Sequence, residues 1–372
     1  MPEVLSALER AVLALRALYE SYGYARFPMR RFEEYAFYLQ NKSFLTSESV
    51  LSFTDANGRL MALKPDVTLS IVKQARTGAG QLQRLYYNES VYRLSPTDHE
   101  FTEIGQIGVE MLGDIDLCGA CEVLGLAAKS LRILGVEYVL DISHMGFVAG
   151  LMAGAGLSGE RQAQAMRLIQ LKNAHELRAL LASWGVREDY VQRIAALPDL
   201  SGGFDETLAR ARALAAGEAE NQALDELADL YGALSTLGLS ERVRLDVSIL
   251  NDLDYYNGLM FQGYMQGAPR AVLSGGRYDG LMEKFSKPGG GLGFALYLDE
   301  LGRVLLSPSD YDADALVLYA PGTDAAALLH AADGLRARGQ RVFCAPEAPA
   351  GLRARQTLRF LGGTFEEVRG EC

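Results

Sequence analysis

The chain has 372 residues, 49% of them hydrophobic and 22% charged, which is enough for one large domain and a smaller one. Its 36 basic and 47 acidic residues give a net charge of −11, with no Lys/Arg cluster to offset the excess. That balance argues against a protein whose main work is gripping nucleic acid, and no apolar run is long enough to span a membrane.

Taken in chain order, Val4, Leu5, Leu8, Val12, Leu13, Leu15 and Leu18 recur at helical spacing. The expected opening is an amphipathic helix rather than a signal peptide, with the cytosol as location. Residues 24–28 read as an extended entry. Residues 50–63 read as a β-hairpin with Asn57-Gly58 as its tight turn. Residues 64–68 then open a helix with Pro65 in the first turn.

Residues 81–113 read as a long antiparallel pair joined through Ser95-Pro96-Thr97-Asp98. From about 117 to 240 the pattern is mostly helical, broken at Gly185, Pro198 and Gly202-Gly203. Strands are expected at 242–248, 255–264 and 271–274, and the glycines at 289–293 precede a last core helix. No Gly-x-Gly-x-x-Gly or P-loop lysine follows a strand, so neither nucleotide-binding pattern applies. A boundary is expected near Pro308. Beyond it, 315–319, 325–339 and 341–344 read as strand, helix and strand of a small α/β tail.

The cysteines are Cys118, Cys121, Cys344 and Cys372. The Cys118-Gly119-Ala120-Cys121 spacing lacks the second ligand pair that a zinc site needs, and it reads as buried, reduced thiols. His99, His144, His175 and His330 are scattered. No metal or cofactor is expected.

One stretch reads as a ligand floor. In the strand running from Thr102 to Leu112, period-two geometry puts Gln106, Gly108 and Glu110 on one face. An amide and a carboxylate flanking a glycine let a small polar ligand approach closely; a solvated face with a glycine bulge fits the spacing as well. On the preceding strand Arg93 shares a face with Val91 and Glu89, and its planar fork suits a ligand carboxylate. Tyr255 and Tyr256 are adjacent, so one can line a cavity while the other packs in the core; two strand aromatics that both pack in the core fit the pattern as well. Gly275-Gly276-Arg277-Tyr278-Asp279-Gly280 reads as a glycine turn able to close over a ligand.

Leu63-Lys64-Pro65-Asp66-Val67-Thr68, Tyr92-Arg93, Gln106 to Glu110, Leu253 to Gly258 and Gly275 to Asp279 follow one another in the order found in the histidyl-tRNA synthetase family. The chain resembles that family over roughly residues 1–305. The resemblance implies an α+β fold: a class II aminoacyl-tRNA synthetase-like core, an antiparallel sheet flanked by helices. Residues 1–308 would form this core, with a helical insertion at about 117–240, and residues 313–372 would resemble a truncated anticodon-binding domain. It also implies a histidine pocket. Asp66, Thr68 and Gln106 would meet the ammonium group and Arg93 the carboxylate. Glu110, Tyr256 and Tyr278 would read the imidazole, and Tyr255 would support the wall.

The departures from the family cluster at its chemistry. Ser95 stands where the synthetases carry a glutamate that reads adenine, Asn251 where they carry a catalytic arginine, and Glu300 where the third signature motif ends in arginine. An acidic group about 4 Å from a phosphate costs on the order of 4 kcal/mol at an effective dielectric of about 20. Adenylate formation is therefore not expected. A silent synthetase paralogue with a histidine pocket resembles the regulatory subunit of ATP phosphoribosyltransferase. That family activates the short-form catalytic subunit at the first step of histidine biosynthesis, conveys feedback by L-histidine, and forms dimers inside a hetero-oligomer. A divergent histidyl-tRNA synthetase and a histidine-binding module for another partner are the alternatives.

Overall fold

The structure is a computed structural model that describes residues 5–42, 45, 50–75, 81–95, 99–250, 256–305 and 311–368. Residues 11–304 form one compact unit, and residues 1–10 with 305–372 form another.

The chain runs α1 (Ala7–Ser21), β1 (Ala25–Arg26), β2 (Phe32–Glu34), α2 (Tyr35–Gln40), β3 (Ser52–Thr54), β4 (Leu60–Leu63) and α3 (Thr68–Gln74). Two long strands follow, β5 (Leu82–Leu94) and β6 (Phe101–Gly113), then α4 (Leu117–Ile133) and β7 (Tyr138–His144). Next come α5 (Met145–Gly154), α6 (Gly159–Gln170), α7 (Ala174–Ser183), α8 (Glu188–Ala195), the short β8 (Ser201–Gly203), α9 (Phe204–Leu214) and α10 (Glu218–Thr236). The chain re-enters the sheet through β9 (Val243–Asp246), β10 (Leu259–Met265) and β11 (Leu273–Arg277). It then passes α11 (Asp279–Lys284), β12 (Gly290–Tyr297) and α12 (Leu298–Leu305).

Nine strands form one sheet in the order β1-β5-β6-β12-β11-β10-β7-β9-β8. It is antiparallel apart from the β1/β5 and β7/β9 pairs. The β5/β6 pair runs from Leu82 opposite Gly113 to Leu94 opposite Phe101. β2, β4 and β3 make a small separate sheet. α3 and α11 bury Leu69, Ile71, Val72, Leu281 and Met282 against Tyr87 and Val91 of β5. At roughly 1.5–3 kcal/mol for each large apolar side chain buried, this cluster anchors both helices beside the sheet. The expected class II-like core, a sheet flanked by helices, is the observed one.

Several local expectations change. The hairpin forms, but its turn is a five-residue loop rather than a two-residue Asn-Gly turn. The Asp55 carboxylate accepts from the backbone N–H of both Asn57 and Arg59, which ties the loop off locally. α3 starts at Thr68, not at Pro65. Asp66 stands ahead of it and accepts from the Leu69 N–H at 2.8 Å, so an aspartate rather than a proline closes the helix start. β7 lies inside the stretch expected to be helical: Tyr-Val-Leu-Asp-Ile-Ser-His supplies β-branched residues and pairs with β10 throughout.

The glycine turn expected at 275–280 begins as a strand, while the glycines at 289–293 lead through β12 into α12, the last core helix expected there. Gly275 and Gly276 belong to β11, and Gly290, Gly291 and Gly293 belong to β12. The boundary expected near Pro308 lies outside the described residues. Cys118, expected to be buried, is exposed in the first turn of α4, where the turn's own N-terminus faces solvent.

The second unit is a parallel β14-β13-β15 arrangement with β16 antiparallel at its edge: β13 (Ala313–Leu318), β14 (Val342–Ala345), β15 (Ala354–Leu361) and β16 (Thr364–Glu367). α13 (Ala325–Arg336) covers one face through Leu328 and Leu335, packed on Ala315, Val317, Leu358 and Phe360. The β15/β16 hairpin was not foreseen from the sequence.

Candidate functional site

Antiparallel pairing puts opposite residues on the same face of a sheet. Glu110 lies opposite Gly293, Gly108 opposite Ala295, and Gln106 opposite Tyr297. On the far side Gly108 faces Tyr87 of β5, while Gly293 faces Gly276 of β11. The result is a bed of small residues ringed by polar and aromatic ones. The bed is small because side chains already lie across it. A Cβ on Gly293 would fall 1.8 Å from Glu110 Oε2, one on Gly291 2.1 Å from the Tyr278 ring, one on Gly276 2.7 Å from the Tyr256 ring, and one on Gly108 2.7 Å from the Tyr87 hydroxyl.

Glu110 is the centre of the polar ring. It is 2% exposed; its Oε1 accepts from the Thr68 hydroxyl at 2.8 Å and its Oε2 from the Tyr278 hydroxyl at 2.5 Å. Burial pushes its carboxyl up to about 8, against the two hydroxyl donors, which favour the ionised form. Nearby, Asp66 is also raised by burial, with Arg93 pulling the other way. Arg93 Nη2 lies 3.7 Å from Asp66 Oδ2, and Arg93 Nε donates to the Pro65 carbonyl at 2.8 Å.

The site therefore holds two reluctant carboxyls and one guanidinium. A ligand carrying an ammonium, a carboxylate and an imidazole offers the missing counter-charges.

Of the residues expected to line the pocket, the structure brings Asp66, Thr68, Arg93, Gln106, Glu110, Tyr256 and Tyr278 to this one face or its rim. Gln106 and Glu110 are buried on β6. Tyr256 lies over Gly276, and its hydroxyl is raised by burial first and then by Tyr297, Glu110 and Asp66, with Arg93 pulling the other way. Tyr255 and Asn251 lie outside the described residues.

Each position of the Gly-Gly-Arg-Tyr-Asp segment has a separate task. Gly276 keeps the bed low beneath Tyr256, Gly275 makes room for Phe294 and Phe261 on the opposite face, Tyr278 reaches Glu110, and Arg277 Nε donates to Asp279 Oδ2 at 2.8 Å. Asp279 Oδ1 in turn accepts from the Gly291 N–H at 3.1 Å, which locks β12 to this segment.

Three features were not read from the sequence. Tyr87 is 1% exposed, and its hydroxyl is raised by burial and then by Glu110 and Asp66. Tyr297 stands beside Gln106, with Arg93, Ser274 and Asp66 close enough to affect its hydroxyl. Counting by two from Gly293 would have found it. Lys64, fully buried, donates to Glu89 Oε2 at 2.6 Å, and its backbone carbonyl accepts from the Tyr92 N–H. That pair straps the segment carrying Asp66 and Thr68 onto β5.

Glu300 lies in the first turn of α12 and pairs with Arg303 at 3.4 Å. Among the described residues no group of His, Cys, Asp and Glu side chains could hold a metal ion.

A family model for histidyl-tRNA synthetase matches residues 1–301. The ATP phosphoribosyltransferase regulatory subunit of Moorella thermoacetica is 32% identical over 350 residues, covering 92% of this chain and 89% of that protein. A crystal structure of an ATP phosphoribosyltransferase regulatory subunit/histidyl-tRNA synthetase from Bacillus halodurans aligns with a TM-score of 0.73 at 26% identity, covering 92% of this chain and 90% of that one. A chain of the ATP phosphoribosyl transferase (HisG:HisZ) complex from Thermotoga maritima shares the fold, with a TM-score of 0.60 at 18% identity, covering 78% and 96%. The chain belongs to the histidyl-tRNA synthetase family and, within it, to the ATP phosphoribosyltransferase regulatory subunits.

Proposed function

We propose that this chain is a non-catalytic regulatory subunit that activates a short-form ATP phosphoribosyltransferase and conveys feedback inhibition by L-histidine at the first step of histidine biosynthesis. The observation that carries the reading is the buried Glu110 held by Thr68 and Tyr278, with Asp66 and Arg93 alongside. Glu110, Tyr256 and Tyr278 take the imidazole, Asp66, Thr68 and Gln106 the ammonium, and Arg93 the carboxylate, and Tyr255 is assigned a supporting role in the pocket wall. The names of the relatives and the complex from Thermotoga maritima support a phosphoribosyltransferase partner.

Ser95, Asn251 and Glu300 leave the nucleotide end without the cations that adenylate transfer needs, since that catalysis is largely electrostatic. The chain works as a homodimer inside a hetero-oligomer, as a cytoplasmic protein with no role in nucleic-acid binding. Residues 1–308 act as the regulatory core and residues 313–372 as a tail domain. No described helix is long and apolar enough to cross a membrane.

Histidine inhibits only if it binds the inactive assembly more tightly than the active one, a coupling of about 1–3 kcal/mol in typical allosteric systems. The test is the histidine concentration that half-inhibits the mixed assembly. Glu110→Ala should raise it at least about tenfold, the loss expected when a charged hydrogen-bond partner is removed. An unchanged value would remove the pocket from the mechanism.

A further inference from the structure

Tyr87 carries a hydroxyl that the protein itself leaves unused. The residue stands opposite Gly108 in the β5/β6 pair, and its side chain lies across that glycine. A Cβ on Gly108 would fall 2.7 Å from the hydroxyl oxygen and 2.9 Å from the ring carbon that bears it. Tyr87 is 1% exposed, yet among the described residues its hydroxyl has no hydrogen-bond partner. A buried hydroxyl left unpaired is costly, so its presence calls for a partner from elsewhere. The polar side-chain atoms sealed off without a partner among the described residues belong to Tyr38, Ser70, Ser143 and Gln340. The Tyr87 hydroxyl is not one of them; it opens onto the bed it lies over.

The strand register sets this hydroxyl against Glu110. Gly108 and Gly293 are diagonal neighbours on β6 and β12, roughly 7–8 Å apart. The Tyr87 hydroxyl lies over the first, and Glu110 Oε2 over the second, 1.8 Å from where a Cβ would stand. Two hydrogen bonds of about 2.9 Å each leave the width of one imidazole ring between them. The two nitrogens of that ring point away from each other, so Glu110 can serve only one. Tyr278 spends its own proton on Glu110. The three N–H groups of the ammonium already have Asp66, Thr68 and Gln106. One ring nitrogen is left over, and one unpartnered hydroxyl faces it.

We infer that Tyr87 is a further recognition residue, whose hydroxyl oxygen accepts from the imidazole nitrogen that Glu110 does not reach. The inference rests on the histidine reading of the pocket. One proton is shared between Glu110 and the ring, and wherever it sits the far nitrogen carries a hydrogen, which suits an accepting hydroxyl. The ring is then held from both sides. A side chain with a single polar atom at that depth leaves either Glu110 or Tyr87 unpaired, which is how a buried polar site rejects the wrong ligand.

The test compares the full chain with its Tyr87→Phe variant, which keeps the ring and removes only the hydroxyl. The empty variant should be as stable to denaturant as the natural chain or more so, because it loses an unpaired group. Its affinity for L-histidine in calorimetric titrations should fall by about tenfold or more. With bound L-histidine enriched in the heavy nitrogen isotope, magnetic resonance should show one ring nitrogen displaced in the variant and the ammonium nitrogen unmoved. Unchanged affinity would overturn the inference and hand the second ring nitrogen to another group, such as Tyr256. A lowered denaturation midpoint with unchanged affinity would place the hydroxyl in a bond within the protein, to the Phe294 carbonyl that also overlies Gly108, and would overturn it as well. So would a displacement confined to the ammonium nitrogen. A natural chain that binds no histidine would overturn the histidine reading, and this inference with it.

Discussion

Glu110 and Tyr278 meet side chain to side chain at 2.5 Å although 168 residues separate them along the chain. The contact joins β6 to the segment between β11 and α11, across the glycine bed of β12. It puts a neutral-leaning carboxyl where an imidazole ring is expected to lie.

Histidine affinity should follow a bell-shaped pH profile. The Glu110 carboxyl, raised by burial to about 8, is protonated in the empty site at neutral pH. Free imidazole, with its ordinary value of about 6.5, is then mostly neutral. The complex shares one proton between the two groups, so binding between these values is proton-neutral. Below about 6.5 a proton must leave, and above about 8 one must be taken up. Affinity should fall by up to about tenfold per pH unit on each side. Glu110→Gln should lose the alkaline limb. Titration calorimetry in buffers of different ionisation heat measures both.

The histidine-free protein should lose stability as pH rises. Glu110 has a folded value above its unfolded one, so the folded state binds more protons between about 4.5 and 8 and stability falls across that window. Asp66, also raised by burial, adds to the slope at its acidic end. Glu110→Gln should flatten the profile. Melting midpoints from pH 5 to 9, expressed relative to that variant, check the sign.

Gly293→Ala should destabilise the core and destroy the pocket together. The new methyl group would sit 1.8 Å from Glu110 Oε2 and 2.4 Å from the Val109 carbonyl oxygen. The side chain can swing away; the backbone oxygen cannot. A cost of about 3 kcal/mol is expected for such overpacking, read as a lowered denaturation midpoint with loss of histidine binding.

These features differ in how far the sequence shows them. Glu110, Gly108 and Gln106 follow from alternation along one strand, and the long β5/β6 pair from its apolar pattern. The roles of Gly276, Gly291 and Gly293 do not. A glycine run has the same local signature whether it turns the chain or lets another strand's side chains lie across it. Only the cross-strand register decides between the two. Tyr87 and Tyr297 escaped for a related reason: each belongs to a strand that reads as ordinary core until its neighbour is known. β7 was hidden because short apolar runs between helices fit either period.

Lys64→Met should destabilise the chain by about 3 kcal/mol, because it leaves Glu89 unpaired in a largely buried place. The additional change Glu89→Leu should recover much of the loss, since an apolar pair of similar volume is often neutral there. A double-mutant cycle by chemical denaturation separates the pair's coupling from the packing of each residue.

The most direct measurement mixes the purified chain with its organism's short-form ATP phosphoribosyltransferase and follows the forward rate with and without L-histidine. The account predicts a faster rate on mixing, reversed by histidine. A rate that mixing leaves unchanged, in an assembly where the catalytic chain alone is competent, would contradict it.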